Sequence, residues 1–174
     1  YLAGGGRLST QAPGEGAADH YAYDPADPVP TLGGNHSVGT YNPGLYEHCR
    51  PGPFDQRPVE ARPDVLVYTS EPLAKPTEIT GPVRVRLFAS TSAPDTDFVA
   101  RLTDVAPDGR SVNLTEGILR GRFHRDVHGE PELLEPGRVY EFDIDLHVTS
   151  NVFLPGHRIR LQVTDSPSPS GVLP

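Results

Sequence analysis

The stretch YEFDIDLHVT, residues 140–149, decides the fold class. Its apolar side chains fall on every second position and its charged or polar side chains fall between them, so the two sets point to opposite faces of an extended chain. Such alternation is typical of a β-strand with one face buried and one face exposed. The predicted buried face carries Tyr140, Phe142, Ile144, Leu146 and Val148, and the opposite face carries Glu141, Asp143, Asp145, His147 and Thr149.

The same alternation recurs on both sides of this stretch, in residues 83–89 and 158–163. Further strands are predicted at 65–69, 98–105 and 111–123. Pro107-Asp108-Gly109 supplies a tight turn that would join the last two as a hairpin. No amphipathic helix of about 12 residues separates the strands. The sequence therefore predicts an all-β fold, an antiparallel sandwich or a jelly roll, whose polar strand faces meet solvent or a partner.

Turn-forming residues divide the chain into three parts. Residues 1–63 hold most of the Gly and Pro clusters and are predicted to be a loop-rich lead-in with the first strands of the domain. Residues 64–165 are predicted to be the strand-rich body of the same domain. Residues 166–174 are predicted to be an unstructured tail, because Pro167 and Pro169 each remove a hydrogen-bond donor that a sheet needs.

Composition sets outer limits on function. The net charge of -8 argues against binding to nucleic acid or to an anionic membrane. No run approaches the roughly 20 apolar residues that a membrane span needs. The single cysteine, Cys49, allows no disulfide within the chain. All but one of the 15 basic residues are Arg, which favours a GC-rich bacterial source, and the cytoplasm is the favoured compartment.

Two patterns could carry catalysis or bind a metal. A serine hydrolase of the α/β class needs G-x-S-x-G on a strand-to-helix turn. The nearest match, GNHSVG at residues 34–39, has an extra residue before Ser37 and no flanking strand or helix, so a surface loop is predicted. His124 and His128 have the spacing of a helical zinc site, but their neighbours indicate a loop and no third ligand has a matching spacing. No metal and no cofactor are therefore expected.

Acidic and aromatic residues offer further candidates. Asp95, Asp97 and Asp104 would suit a calcium site or an acid and base pair, but their place beside turns favours solvation or turn capping. The long Pro/Gly-rich loop holds three aromatic residues, Tyr41, Tyr46 and Phe54. These could form the lip of a ligand site, since loops on a rigid sheet often carry function, or they could anchor the loop on the sandwich.

Six strings of residues, taken together, resemble one known domain. They are YDPADPVP with a following Gly-Gly (23–34), DQRP (55–58), DVLVYTS (64–70), DTDF (95–98), PDGR (107–110) and TSNVFLPGHR (149–158). In this order and at these distances the chain resembles, from about Tyr1 to about Val163, the C-terminal domain of the bacterial cocaine-esterase family, the CocE/NonD hydrolases. X-prolyl dipeptidyl-peptidases and α-amino-acid ester hydrolases share that domain.

The resemblance implies a galactose-binding-like jelly roll that packs against an upstream α/β-hydrolase domain. In such enzymes the Ser-His-Asp triad lies on that upstream domain, so no catalytic residue is carried over and the chain is expected to be inactive alone. The jelly roll helps to close the substrate cleft and stabilises the enzyme. In the cocaine esterases the segment that corresponds to residues 35–54 reaches toward the acyl part of the substrate, which implies Tyr41, Tyr46 and Phe54 as lining residues here.

Three residues are predicted to be structural. Asp55 and Arg57 bracket Gln56 just before a strand, where a charge-assisted pair would tie the loop to the sheet. Asn151 would cap the turn at Pro155-Gly156 with its side chain.

The ends of the chain carry two expectations. The sequence has no methionine, so we expect further residues before Tyr1. After Val163 the sequence leaves the family pattern, and a jelly roll that needs later strands would keep an open sheet edge. Such an edge predicts marginal stability or self-association.

Two other functions compete with a domain of a hydrolase. One is a stand-alone carbohydrate-binding or ligand-binding module that uses the aromatic loop 41–54, and the other is a truncated remnant without a function of its own. A surface that docks on a hydrolase would expose an apolar patch of several hundred Å². A sugar site would instead show one or two stacked aromatic rings over a polar floor.

Overall fold

The computed structural model describes residues 1–14, 16–34 and 51–165. Its strands are β1 (Leu2–Ala3), β2 (Arg7–Leu8), β3 (Leu66–Thr69), β4 (Thr77–Ala89), β5 (Asp97–Val105), β6 (Ser111–Arg120), β7 (Tyr140–Phe153) and β8 (Arg158–Thr164). The short helix α1 spans Arg57–Glu60, and one 3-10 turn spans Gly121–Phe123. The described residues therefore confirm the predicted all-β class.

The strands form two sheets that pack face to face as a sandwich. The first sheet has six strands in the order β1-β2-β3-β8-β5-β6, and the second pairs β4 with β7. All pairs are antiparallel except the single contact between β2 and β3. The core lies between the sheets, where the rings of Phe98 and Phe142 approach to 4.5 Å between centroids. The predicted hairpin is also confirmed, since β5 and β6 pair on either side of the turn at Gly109.

Strand β7 runs past a bulge that reverses its faces. Phe142, Ile144 and Leu146 are fully buried, as the alternation predicts. His147 then takes a left-handed backbone angle, φ 63°, and an extra residue of β7 stands opposite β4. The prediction that Val148 lies on the buried face is wrong, because the bulge turns this side chain outward, where it is 73% exposed.

The two sheets meet along β6 and β7. Gly117 of β6 lies so close to β7 that a β-carbon built on it would stand 2.0 Å from the carbonyl oxygen of Asp145. The hydroxyl of Thr115 donates to the carbonyl of Leu146 nearby. Only a residue without a side chain fits at this seam, so Gly117 is required for the close approach.

The lead-in covers the outer face of the six-stranded sheet. Gln56 and Val59 are fully buried, and they lie over a sheet face that also buries Arg101, Thr103 and Gln162. Strand β5 is buried on both faces for this reason. The polar faces of β5 and β8 therefore meet another part of the same chain and not solvent. No described helix is long and apolar enough to cross a membrane.

Candidate functional site

Two backbone hydrogen bonds join the segments that come before and after residues 35–50. We call this junction, formed by residues 32–34 and 52–56, the neck. The amide of Gly34 donates to the carbonyl of Gly52 at 2.9 Å, and the amide of Gly52 donates back to Gly34 at 2.8 Å. Both glycines have positive φ angles, 112° and 113°, which only glycine adopts readily. Ser37, Tyr41 and Tyr46 lie outside the described residues, so their predicted roles stay predictions.

Phe54 is the one predicted lining residue that the structure describes, and it is held beside this neck. Its amide donates to Oδ1 of Asn113 at 2.7 Å, and the Asn113 amide group donates to the carbonyl of Gly52 at 3.3 Å. The half-buried ring lies against Gly33, where a built β-carbon would stand 2.7 Å from Cδ2 of Phe54. Gly33 therefore leaves just enough room for the ring.

The Gln56 side chain connects the two limbs of the neck, which are the incoming segment that ends at Gly34 and the outgoing segment that begins at Gly52. Its Nε2 donates to the carbonyl of Leu32 on the incoming limb at 2.8 Å, and to the carbonyl of Phe54 and Oδ1 of Asn113, both at 3.2 Å. Its Oε1 accepts from the guanidinium of Arg101 at 2.8 Å. The side chain is fully buried, so these bonds are shielded from water.

The Arg101 guanidinium belongs to a larger buried network. It forms a salt bridge with Glu116 at 2.5 Å, and it also donates to Gln162 at 3.4 Å. Glu60 of α1 lies beside it and accepts from the side chains of Ser111, Gln162 and Arg160. The network ties the lead-in to β5, β6 and β8 at once.

Asp55 and Arg57 lie on the solvent side of this network. The Arg57 guanidinium donates to both carboxylate oxygens of Asp55, and the amide of Ser111 donates to the same carboxylate at 3.3 Å. The hydrogen bonds from Arg57 hold the pKa of Asp55 below its ordinary value, against a smaller opposing effect of burial. Asp55 thus contacts both the predicted ion partner and the start of β6.

Asn151 does not cap the turn as predicted. It lies inside β7 opposite Ile79, and its Nδ2 atom is buried without a hydrogen-bond partner. The turn is closed by the backbone instead, from the amide of His157 to the carbonyl of Leu154 at 3.1 Å. The prediction failed because β7 extends past Asn151 to Phe153, and after the bulge the Asn151 side chain lies on the same face as the buried Phe153.

The acidic residues beside the predicted turns are paired with cationic or polar side chains. Arg122 binds Asp95, Arg120 binds the buried Asp97, and Nδ1 of His157 lies 2.8 Å from Oδ1 of Asp104. The expectation of solvation or turn capping is therefore wrong for Asp97 and Asp104. It failed because their partners lie 23 and 53 residues away in the chain, which local sequence does not reveal.

His124 and His128 do not lie together on a helix. The His124 ring lies 4.8 Å from the ring of Tyr140, edge to face, while the backbone amide of His128 donates to Asp126. Within residues 1–14, 16–34 and 51–165, no group of three His, Cys, Asp or Glu residues could hold a metal ion. Over the same residues, no serine hydroxyl is hydrogen-bonded to a histidine ring.

Local sequence patterns do not identify Gln56, Arg101 and Asn113 as parts of this site. One signal was present, since Arg101 interrupts the otherwise apolar start of FVARLTDV, residues 98–105. A charged residue in such a strand needs a buried partner. The partner could not be identified, because Gln56 lies 45 residues away in the chain.

Fold and site together define an all-β sandwich domain in which a buried polar network joins residues 32–34 to residues 52–56. The chain belongs to the family of the X-Pro dipeptidyl-peptidase C-terminal non-catalytic domain, whose profile matches residues 1–172. It is thus a non-catalytic C-terminal domain of the type found in CocE/NonD hydrolases.

Three relatives place the chain within this family. It is 52% identical over 166 residues to a cocaine esterase of Rhodococcus sp. (strain MB1 Bresler), which covers 95% of this chain and 27% of the esterase. An aminopeptidase from a marine sediment archaeon, Thaumarchaeota archaeon, is 37% identical with a TM-score of 0.81, over 97% of this chain and 29% of that one. An α-amino acid ester hydrolase is 34% identical with the same TM-score, over 97% and 28%. The chain thus spans just over a quarter of each relative's length.

Proposed function

We propose that this chain is the domain that closes the substrate cleft of an α/β-hydrolase domain and stabilises it. The observation that carries the proposal is the match of nearly the whole chain to about a quarter of a cocaine esterase at 52% identity. A domain that takes up about a quarter of the esterase leaves the larger part of that enzyme for a hydrolase domain, and this hydrolase domain is the proposed partner. The remnant and the stand-alone binding module lack a comparable observation in their favour.

The proposed parent reaction is acyl transfer from an ester or an amide to water through a serine ester. The names of the relatives support this range, since they include an esterase, an amino acid ester hydrolase and an aminopeptidase. In the proposal, residues 35–54 contribute contacts to the acyl part of the substrate. Tyr41, Tyr46 and Phe54 are the proposed contact residues, and Asp55 and Arg57 remain proposed structural residues.

The outer face of the second sheet supports docking on another domain. It exposes Phe88 and Val139 at one end of β4 and β7, and Val148 and Val152 at the other. Phe88 and Val139 are diagonal neighbours on this face, because Phe88 stands opposite Glu141 in the register. The ion pairs of Arg84 and Arg86 lie between these two apolar groups. We assign the hydrolase domain as the occupant, since exposed apolar side chains on a sheet face suit an interface with another domain.

A chimera tests the proposal directly. The 174-residue chain would replace the region of the Rhodococcus cocaine esterase that it matches, and hydrolysis of a p-nitrophenyl ester would be measured. The esterase without that region is the negative control. We expect that control to lose activity and the chimera to recover kcat/KM to within about tenfold of the intact esterase. A folded chimera no more active than the control would reject the proposal.

Two measurements on the chain alone complement the chimera. We expect the purified chain neither to hydrolyse a p-nitrophenyl ester or an X-Pro-p-nitroanilide nor to be labelled by a fluorophosphonate. Labelling of Ser37 would contradict this. Self-association stays a prediction, and β4 and β7 both offer an edge for it, because the second sheet holds only these two strands among the described residues. Sedimentation at rising concentration measures it. The cytoplasmic location also stays a prediction.

A further inference from the structure

We propose that Asn113 and Gln56 are positioning residues that fix Phe54 as a contact in the substrate cleft. The inference rests on the proposed function, and it names the side chains through which the sandwich would act on a substrate. Neither residue is proposed to touch the substrate.

Three groups from other residues contact Phe54. Asn113 accepts from its amide at 2.7 Å, and Gln56 donates to its carbonyl at 3.2 Å. Gly33 lies against the ring. With both backbone groups bonded, the backbone of Phe54 is held in one position, and the close contact with Gly33 restricts where the ring can lie.

The Gln56 amide is itself oriented by a charge. Arg101 donates to Oε1, which turns Nε2 toward the carbonyls of Leu32 and Phe54. Arg101 is fixed in turn by its salt bridge to Glu116. Because Leu32 and Phe54 lie on opposite limbs of the neck, one amide group sets the distance between them. A contact residue must be held within about half an ångström to act reproducibly on a substrate, and this arrangement supplies such support.

Hydrogen exchange on the 174-residue chain tests the first half of the inference. Asn113→Ala removes the acceptor for the Phe54 amide, so we expect that amide to exchange at least about tenfold faster. Asn113→Asp keeps an acceptor oxygen, and we expect it to preserve protection. Asn151→Ala is the matched control, since its side-chain Nδ2 has no partner and lies on another strand.

Should Asn113→Ala fail to fold, Asn113→Leu takes its place, because leucine has the same number and branching of side-chain heavy atoms as asparagine and lacks an acceptor. Unchanged protection of the Phe54 amide in the folded variant would overturn the inference. Protection lost equally in Asn113→Asp would overturn it as well.

A double-mutant cycle in the chimera tests the second half. We expect Asn113→Ala and Phe54→Ala each to lower kcat/KM for the p-nitrophenyl ester about tenfold, and the double variant to fall no further, because Asn113 acts through Phe54. A general structural role would give independent effects that multiply. Asn113→Asp should retain most of the activity.

The outcomes separate the two proposals. An active chimera in which the two effects multiply overturns the positioning role alone and leaves the proposed function standing. An inactive chimera overturns the proposed function and the inference that rests on it. A chimera in which Phe54→Ala has no effect also overturns the inference, since there would be no contact to position.

Discussion

The two outer faces of the sandwich carry the same kinds of residue in opposite surroundings. On the six-stranded sheet, Arg101 pairs with Glu116 beneath the lead-in, and its side chain is 5% exposed. On the second sheet, Arg84 pairs with Asp143 and Asp145, and its side chain is 58% exposed. Both strands show arginine within an apolar alternation. What decides the surroundings is whether another part of the chain lies on top.

Because one ion pair is covered by the lead-in and the other is exposed to water, we expect removal of one partner to lower the free energy of unfolding by different amounts. A buried ion that loses its partner remains in a medium that solvates it poorly, which costs about 3–5 kcal/mol. An exposed ion that loses its partner is solvated by water, and the measured cost is about 0.2–1 kcal/mol. Single substitutions on the covered and the exposed face therefore test this difference in the free energy of unfolding.

Arg101→Ala should destabilise the chain by about 3–5 kcal/mol, because it leaves the partly buried Glu116 without its cation and the fully buried Gln56 without its donor. Chemical denaturation followed by circular dichroism measures this as a fall in the free energy of unfolding. Glu116→Gln is the companion variant, since it removes the charge and keeps the shape. A loss below about 1 kcal/mol in Arg101→Ala would show that water reaches the network.

Two neighbouring residues of β7 test the reversal of faces at the bulge. Leu146→Ala removes a fully buried side chain and should cost about 2–5 kcal/mol. Val148→Ala, two residues later, should change the free energy of unfolding by less than about 0.5 kcal/mol, because the side chain is exposed. Simple alternation gives both residues the same burial. Equal losses in the two variants would therefore contradict the bulge at His147.

Much of the sandwich could be predicted from sequence, and the failures have physical causes. Residues 140–146 obey strict alternation, so that part of β7 was found. The first half of β4 was missed because Gly81 and Pro82 interrupt its pattern, although an edge strand tolerates proline. The network around Gln56 depends on residues far apart in the chain, which no local pattern encodes. Phe54 was named as a contact, but the residues that hold it were not.

The seam between the two sheets should tolerate no side chain. Gly117→Ala would place a methyl group against the backbone of Asp145, so we expect a loss of about 1–3 kcal/mol in thermal or chemical unfolding. Gly14→Ala is the matched control, since a β-carbon there meets no atom within 4 Å. If the two variants have the same free energy of unfolding, the two sheets are free to separate along β6 and β7. The two outer faces would then not be faces of one rigid sandwich.

Alkaline pH should destabilise the fold. Burial raises the pKa of Tyr21, with added effects of Asp165 and Asp64, and burial together with a hydrogen bond to Asp19 raises the pKa of Tyr68. Because the unfolded chain ionises first, the stability that these phenols contribute is complete below pH 10 and is lost as pH rises above it.

Tyr21→Phe removes one of these titrations, so its unfolding free energy should fall less steeply between pH 10 and 12 than that of the unchanged chain. Fluorescence or circular dichroism along a pH series measures the slope. Tyr1→Phe, at an exposed tyrosine, is the control. A slope that Tyr21→Phe leaves unchanged would mean that Tyr21 is in contact with water in both states.

The smallest effect is expected on the open face. Arg84→Ala removes contacts of 3.1 Å to Asp143 and 3.5 Å to Asp145, yet the cost should stay below about 1 kcal/mol, since water replaces the lost partner. Added salt should reduce it further. The measurement is most informative at two protein concentrations. Suppose instead that the loss in the free energy of unfolding is close to that of Arg101→Ala and grows with protein concentration. That result would show that a second molecule covers this face in solution. The contrast between the two faces would then belong only to the isolated chain.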